Sequence, residues 1–392
     1  MNILTVNSGS SSLKFALFSC FAEMERIVSG SFTQIRSNCP TFKASYDRGI
    51  DVYEDVKGIS GHAAAVRYLI YWLNDQGLSF DSVSHRIVQG GLNYQNPTHI
   101  SESFVTEIRK YEALAPDHLP QEIDIIETFQ QENPKTVQIA CFDTTFHTKR
   151  PSHRKKYALP QRYESEGIIR YGFHGLSYES IMCELERIDP NIAKGKIIAC
   201  HLGSGASLAA IKNGVCIDTT MGFTPVSGLV MSTRTGELDP GAVLYLMQEK
   251  GMSPAEVRCL IYKKSGLLAL SELTSDMEEL LKFESENEKV KEAIAIFCES
   301  AAKHIGASLP LLGGLQTLIF SGGIGENAPK IRSEICNSLQ FLGLKLDEKK
   351  NQQRDFLISS GDSSINVFVI PSDEEKMLAA QAMKVFREMF DA

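Results

Sequence analysis

Residues 197–214 read Ile197-Ile198-Ala199-Cys200-His201-Leu202-Gly203-Ser204-Gly205-Ala206-Ser207-Leu208-Ala209-Ala210-Ile211-Lys212-Asn213-Gly214. A short apolar run meets a Gly/Ser turn, and a second apolar run closes on an Asn-Gly pair. That order describes a buried strand, a tight turn and a returning strand. Beyond it come Asp218-Thr219-Thr220-Met221-Gly222-Phe223-Thr224-Pro225 and Leu229-Val230-Met231-Ser232-Thr233-Arg234-Thr235-Gly236. Small residues let backbone N–H groups approach an anion closely, and Arg234 stands among them. Phosphate handling is the chemistry this stretch suggests first.

The amino terminus repeats the pattern. Ile3–Val6 leads into Asn7-Ser8-Gly9-Ser10-Ser11-Ser12, and Leu13–Phe18 returns. Laid over the first stretch, Ser12-Leu13 falls on Ser207-Leu208, a shift of 195 residues in a chain of 392. A period of half the length suggests a duplication and two similar domains. Strands are read at Ser82–Val88, Val137–Phe142, Leu315–Phe320 and Ile365–Ile370. Helices are read at 61–77, Phe104–Leu114, Ile123–Gln130, Tyr178–Arg187, Asp239–Gln248 and Met377–Phe390, with one or two more in Leu280–Ile305. Ser321–Asn327 reads as a glycine-rich turn, and Ser372 with Glu375 as a capping box before the last helix. Alternating strands and helices point to an α/β layered architecture. In such sheets ligands gather beyond the carboxyl ends of the strands, where Asn7, Arg86, Asp143, His201 and the 204–205 turn all fall.

Apolar content of 43% and charged content of 22% are ordinary for a globular protein. A net charge of −8 argues against a nucleic-acid partner, whose phosphates demand a basic face. The nine cysteines are scattered, with no CxxC pair, which reads as reduced thiols in the cytoplasm. Met1–Asn7 lacks a basic stretch and turns polar early, unlike a signal peptide. No apolar run approaches the roughly 20 residues of a membrane span. Ala307–Phe320 comes nearest, and Pro310, Gly313, Gly314 and Gln316 interrupt it.

No Walker A sequence, full GxGxxG or HExxH occurs. Instead there are three Gly/Ser turns, at 7–12, 203–207 and 321–327, with arginines near strand ends. In this setting the chain resembles the acetate kinase family, within the wider group of acetate and sugar kinases and actin. The blocks that carry the resemblance are Asn7–Lys14, His85-Arg86-Ile87-Val88, Phe142-Asp143-Thr144, Arg170-Tyr171-Gly172-Phe173-His174-Gly175 and His201–Gly205. Met221–Pro225, Thr233-Arg234-Thr235-Gly236 and Gly323-Ile324-Gly325-Glu326-Asn327 complete them.

The resemblance implies an α/β fold of two similar RNase H-like (actin-like ATPase) domains with a cleft between them. Residues 1–148 plus 378–392 would form the acid-side domain and 149–377 the nucleotide-binding domain. It implies that the carboxylate of a short acid attacks the γ-phosphorus of ATP, giving an acyl phosphate and ADP. A carboxylate is already ionised at neutral pH, so the difficulty lies in holding two anions in line and neutralising charge. By resemblance, Arg86 and Arg234 hold the carboxylate and the transferring phosphoryl group, and a guanidinium fork suits both. His174 hydrogen-bonds the phosphoryl group, Asp143 orients groups at the reacting centre, and His118 is a further active-site histidine. Asn7 and Glu374 organise Mg2+, with Mn2+ the alternative. Val88, Phe173, Pro225 and Asp117 fall at the acid pocket. Lys14, Ser10, Ser12, His201, Leu202, Gly203, Ser204 and Gly205 fall at the nucleotide, as do Asp276, Met277, Glu278, Gly323, Ile324, Gly325 and Asn327. A homodimer is implied as well.

Departures from the family pattern gather at these substrates. Asp117 stands where an apolar residue is usual, so an acid larger or more polar than acetate is an alternative. Gln89 replaces a His, and Leu176 and Tyr178 replace Thr and His. Ser204 replaces Asn, and Glu278 replaces an arginine that lies against the nucleotide, which leaves pyrophosphate as an alternative donor. A non-catalytic actin-like nucleotide binder and an acyl phosphatase are the competing readings.

Overall fold

The computed structural model of the chain describes every residue except 10, 22, 36, 38, 47, 48, 50, 57, 391 and 392. The chain divides into two compact units, 1–145 with 373–392, and 146–372. The boundaries read from the sequence are 148/149 and 377/378.

In the first unit, β1 (Asn2–Ser8) is buried from Ile3 onward, as its continuous apolar run requires of a central strand. It pairs antiparallel with β2 (Leu13–Cys20), Leu13 opposite Ser8. The antiparallel run continues through β3 (Met24–Thr33), β4 (Thr41–Tyr46) and β5 (Asp51–Asp55). On its other edge β1 runs parallel to β6 (Ser82–Ile87), which runs parallel to β8 (Val137–Phe142). The short β7 (Thr98–His99) closes that edge, giving the order β5-β4-β3-β2-β1-β6-β8-β7. Phe15, Phe32 and Phe42 pack with Trp72 of the helix His62–Asp75, Phe42 and Trp72 at 5.2 Å between centroids. The helix Glu374–Phe390 packs over β1, β6 and β8.

The second unit has the order β11-β10-β9-β12-β13, from β9 (Lys196–Leu202), β10 (Ala206–Lys212), β11 (Val215–Thr219), β12 (Thr317–Ser321) and β13 (Asn366–Val369). β9 to β11 are mutually antiparallel, and β12 and β13 run parallel to β9. This is the order and direction of β3-β2-β1-β6-β8. Moved by 195 residues, β1 lands one residue from β9, so the short match in the sequence marks a repeated topology. Asn213 and Gly214 both have positive φ, 53° and 72°, the backbone an Asn-Gly hairpin turn requires.

Several elements differ from the sequence reading. Phe104–Leu114 is α-helical only to Ile108 and tightens to a 3-10 helix over Arg109–Leu114. Gly322–Asn327 forms a short helix rather than an open turn. The 280–305 region resolves into Met277–Phe283 and Glu288–Leu312, Asn287 capping the second. At the last helix Asp373, rather than Ser372, accepts the N–H of Lys376 at 3.0 Å. Arg26 fixes Asp373 there, with Nη2 2.7 Å from both oxygens. The strands β3, β4 and β5 were not read from the sequence at all. No helix of the described residues is long and apolar enough to cross a membrane.

Candidate functional site

In the first unit, parallel pairing sets the carboxyl ends of β6 and β8 side by side, and Asp143 N–H donates to Ile87 O at 3.0 Å. Arg86 then forks onto Asp143, Nε to Oδ1 at 3.1 Å and Nη2 to Oδ2 at 2.5 Å. Its Nη1 donates to Asn7 Oδ1 at 3.4 Å, and Asn7 Nδ2 donates to Glu374 Oε2 at 3.0 Å. Three strand ends and one helix start thus supply a single cluster. Burial works against the charge of Arg86, but the carboxylates of Asp143 and Glu374 outweigh it and raise its pKa. Three of its five N–H donors are used in this way; the other two have no protein acceptor among the described residues. The side chain remains 15% exposed, so an anion can reach those donors.

Glu122 was not singled out in the sequence. It lies in the first turn of the helix Leu119–Glu132, almost fully buried, and accepts Val88 N–H at 3.1 and 3.3 Å through its two oxygens. Burial pushes its carboxyl up to about 8, with Arg86 and the Val88 N–H pulling the other way. It therefore fixes the backbone of Val88, two residues beyond Arg86. His118 is the N-cap residue of the same helix, and the backbone carbonyl of Asp117 accepts from Gln121. His85 of the Arg86 block belongs to the core, its Nε2 2.7 Å from Gln138 Oε1, and burial lowers it to about 4.

Among the described residues no three His, Cys, Asp or Glu side chains gather as a ready-made metal cage. Asn7 and Glu374 fit an ion that takes few protein oxygens and keeps its waters. The amide would turn so that its oxygen, not its nitrogen, meets the metal. Lys14 is exposed and lines a cavity of about 330 Å³ on β2, β3 and β4 with Arg26 and Lys43. In the β1–β2 turn Gly9 N–H donates to Ser12 O, and His62 Nε2 braces the turn from 2.9 Å at Gly9 O. Ser10 lies outside the described residues.

In the second unit, His174 is the N-cap of the helix Gly175–Ile188 and holds a left-handed φ of 60°. Its Nδ1 lies 2.9 Å from Ser207 Oγ, which lies 2.5 Å from the hydroxyl of Tyr178. Burial raises the Tyr178 pKa, so the phenol stays neutral and can donate. Tyr178, Ser207 and Nδ1 of His174 thus form one hydrogen-bonded chain, which orients the imidazole and leaves Nε2 on its other edge. That edge faces Gly205, where a Cβ would stand 3.2 Å from Nε2 and 3.5 Å from Arg234 Nη1. A glycine at 205 therefore keeps space between His174 and Arg234. The His201 ring lies 4.5 Å from that of His174, and Arg234 Nη1 donates to Pro225 O at 3.0 Å. Phe173 is buried, its carbonyl accepting from His147 Nε2 at 2.9 Å, while His147 Nδ1 faces Cys216 Sγ at 3.2 Å.

A cavity of about 820 Å³ opens beside these residues. Gly203, Ser204, Arg234, Asp276, Met277, Glu278, Gly323, Ile324 and Asn327 line it, as the sequence suggested for most of them. Ser232, Thr233, Ser275, Leu281, Ala328 and Arg354 line it too and were not named as site residues; Ser232 and Thr233 lie in a quoted block, whereas no motif marks Leu281, Ala328 or Arg354. Leu202 and Gly325 are buried against each other instead, a Cβ at 325 lying 3.7 Å from Leu202 Cβ. Asp276 caps its helix by accepting Glu279 N–H at 3.1 Å, and Glu278 is largely exposed beside Lys282.

The Acetokinase family model matches residues 2–380 of this chain. An acetate kinase of Nitrobacter hamburgensis is 42% identical over 390 residues, covering 98% of this chain and 96% of that protein. Among solved structures, Porphyromonas gingivalis acetate kinase has a TM-score of 0.87 at 32% identity, covering 98% of this chain and 99% of that one. A propionate kinase from Francisella tularensis has a TM-score of 0.91 at 33% identity, covering 97% and 98%. A match this complete, on a chain whose two sheets repeat one α/β topology, shows a kinase with the actin-like ATPase fold, and the chain belongs to the Acetokinase family.

Proposed function

We propose that this protein is an acetate kinase, transferring the γ-phosphoryl group of ATP reversibly to the carboxylate of acetate. The acid oxygen forms a bond to the γ-phosphorus as the bond to the β,γ-bridging oxygen breaks, leaving acetyl phosphate and ADP with no proton consumed. The observation that carries this reading is Arg86, locked onto Asp143 with two N–H donors still available. A bare salt bridge has no need of spare donors; a carboxylate-binding arginine does. In the second unit Arg234 and, with its proton on Nε2, His174 would donate to a phosphoryl oxygen, with Gly205 keeping the space between them. Val88, Phe173 and Pro225 are assigned to the acid's alkyl group. Mg2+, or Mn2+ in its place, would be held by Asn7 and Glu374 and would offset charge on the phosphates.

A homodimer is part of the proposal. The helix Pro240–Gln248 buries none of its residues although it is rich in apolar side chains, with Leu244 and Tyr245 each 53% exposed. A second copy is the occupant that such a face calls for. Among the described residues none of the nine cysteines is joined in a disulfide, which supports a reducing, cytoplasmic setting.

The test is a matrix of donors against acids with hydroxylamine trapping the acyl phosphate. Hydroxamate with ATP and acetate supports the reading. A strong preference for propionate or for pyrophosphate replaces acetate or ATP within it. No hydroxamate from any pair favours a nucleotide-binding protein, and hydrolysis of acetyl phosphate without ADP an acyl phosphatase.

A further inference from the structure

We propose that Arg354 is the residue by which this protein selects the nucleoside part of its phosphoryl donor. The inference rests on the nucleotide reading given above. Arg354 ends the helix Glu348–Gln353 with a left-handed φ of 58°, a conformation an L side chain seldom takes. Its guanidinium is tethered, Nη1 donating to Asn327 Oδ1 at 2.8 Å, and Asn327 Nδ2 donates in turn to Gly323 O at 2.9 Å. Nε and Nη2 have no protein acceptor among the described residues. The arginine is therefore held over the large cavity with most of its donors unused.

Two kinds of residue line that cavity. Arg234 and the small residues Gly203 and Ser204 suit phosphates. The carboxylates of Asp276 and Glu278 repel phosphates, while Met277, Leu281 and Ile324 supply apolar wall that suits a flat, uncharged base with its ribose. Arg354 is tied to Asn327, on the same short helix as Ile324, and a guanidinium plane both stacks on a base and donates to its edge or to ribose hydroxyls. A donor without a nucleoside would gain nothing from it.

The test is calorimetric titration of the full chain with ADP, together with inhibition by inorganic pyrophosphate. Arg354→Ala should weaken ADP about tenfold and Arg354→Lys by less, with pyrophosphate inhibition within about twofold of wild type. Asn327→Ala, which releases the tether, should weaken ADP in the same direction and serves if Arg354→Ala does not fold. An ADP affinity unchanged in these variants overturns the assignment, as does equal weakening of ADP and pyrophosphate. If the wild type makes acyl phosphate only from pyrophosphate and binds no ADP, the nucleotide reading fails and this inference with it. Unchanged ADP binding in Arg354→Ala beside active ATP turnover defeats Arg354 alone.

Discussion

Arg234 is placed by a loop, not by a strand or helix, yet Gly205 and the carbonyl of Pro225 fix its Nη1. Arg234→Ala should lower kcat by about two to three orders of magnitude in a folded protein, as loss of a charge contact in the transition state does. Unchanged kcat would remove Arg234 from the reaction. Asp117→Leu should raise kcat/KM for acetate by a few-fold if Asp117 lines the acid pocket; no gain would put Asp117 outside it. Glu122 makes a different prediction. Its carboxyl is pushed from 4.5 to about 8 by burial, so between those values the folded chain keeps a proton that the unfolded chain has lost. Stability from this group therefore falls as pH rises through that window, by up to about 5 kcal/mol. Urea midpoints across pH 5 to 9 should fall in the wild type and stay flatter in Glu122→Gln. His85 and His147 act at the acid side, lowered to about 4 and about 3, and their stabilisation is lost as pH falls below 6.5. Parallel urea curves for wild type and Glu122→Gln would show that the carboxyl titrates in the ordinary range.

Elements in the second unit depend on a side chain that no motif announces. Arg332, on the helix Pro329–Asn337, is fully buried and donates to the carbonyls of Gly325 and Glu326 and to both oxygens of Asn351. It ties the short helix Gly322–Asn327, which lines the large cavity, to the segment that ends in Arg354. Arg332→Ala leaves buried carbonyls unsatisfied and should cost about 3 kcal/mol or more, seen as a lower midpoint in thermal or urea unfolding. A loss under about 1 kcal/mol would mean that the two segments hold each other without it. The elements most legible in the sequence are those with long apolar runs, such as β1, β8, β9 and β10. β3 to β5 escaped because their burial comes from pairing in a meander. Asp51-Val52-Tyr53-Glu54-Asp55 has no buried residue at all, and only the ladder with β4 makes it a strand.

For the whole molecule, the exposed apolar face of Pro240–Gln248 predicts its oligomeric state. Leu244→Asp with Tyr245→Lys should turn a dimer into a monomer by sedimentation, with the far-UV spectrum unchanged. A wild-type monomer at micromolar concentration would refute the assignment of that face. The sequence by itself determined the α/β class and suggested the half-length repeat, because apolar periodicity and Gly/Ser turns are local properties of the chain; Asn7, Arg86, Asp143, His174 and Glu374 were given their roles by the family resemblance. Only the tertiary structure decided which groups stand together: Glu122 against Val88, Tyr178 behind Ser207 and His174, Arg354 on Asn327. Each of these contacts joins residues far apart along the chain, and a lone Glu, Tyr or Arg carries no mark of its partner. Their charge and reach are set by burial and by neighbours that exist only once the strands and helices have packed.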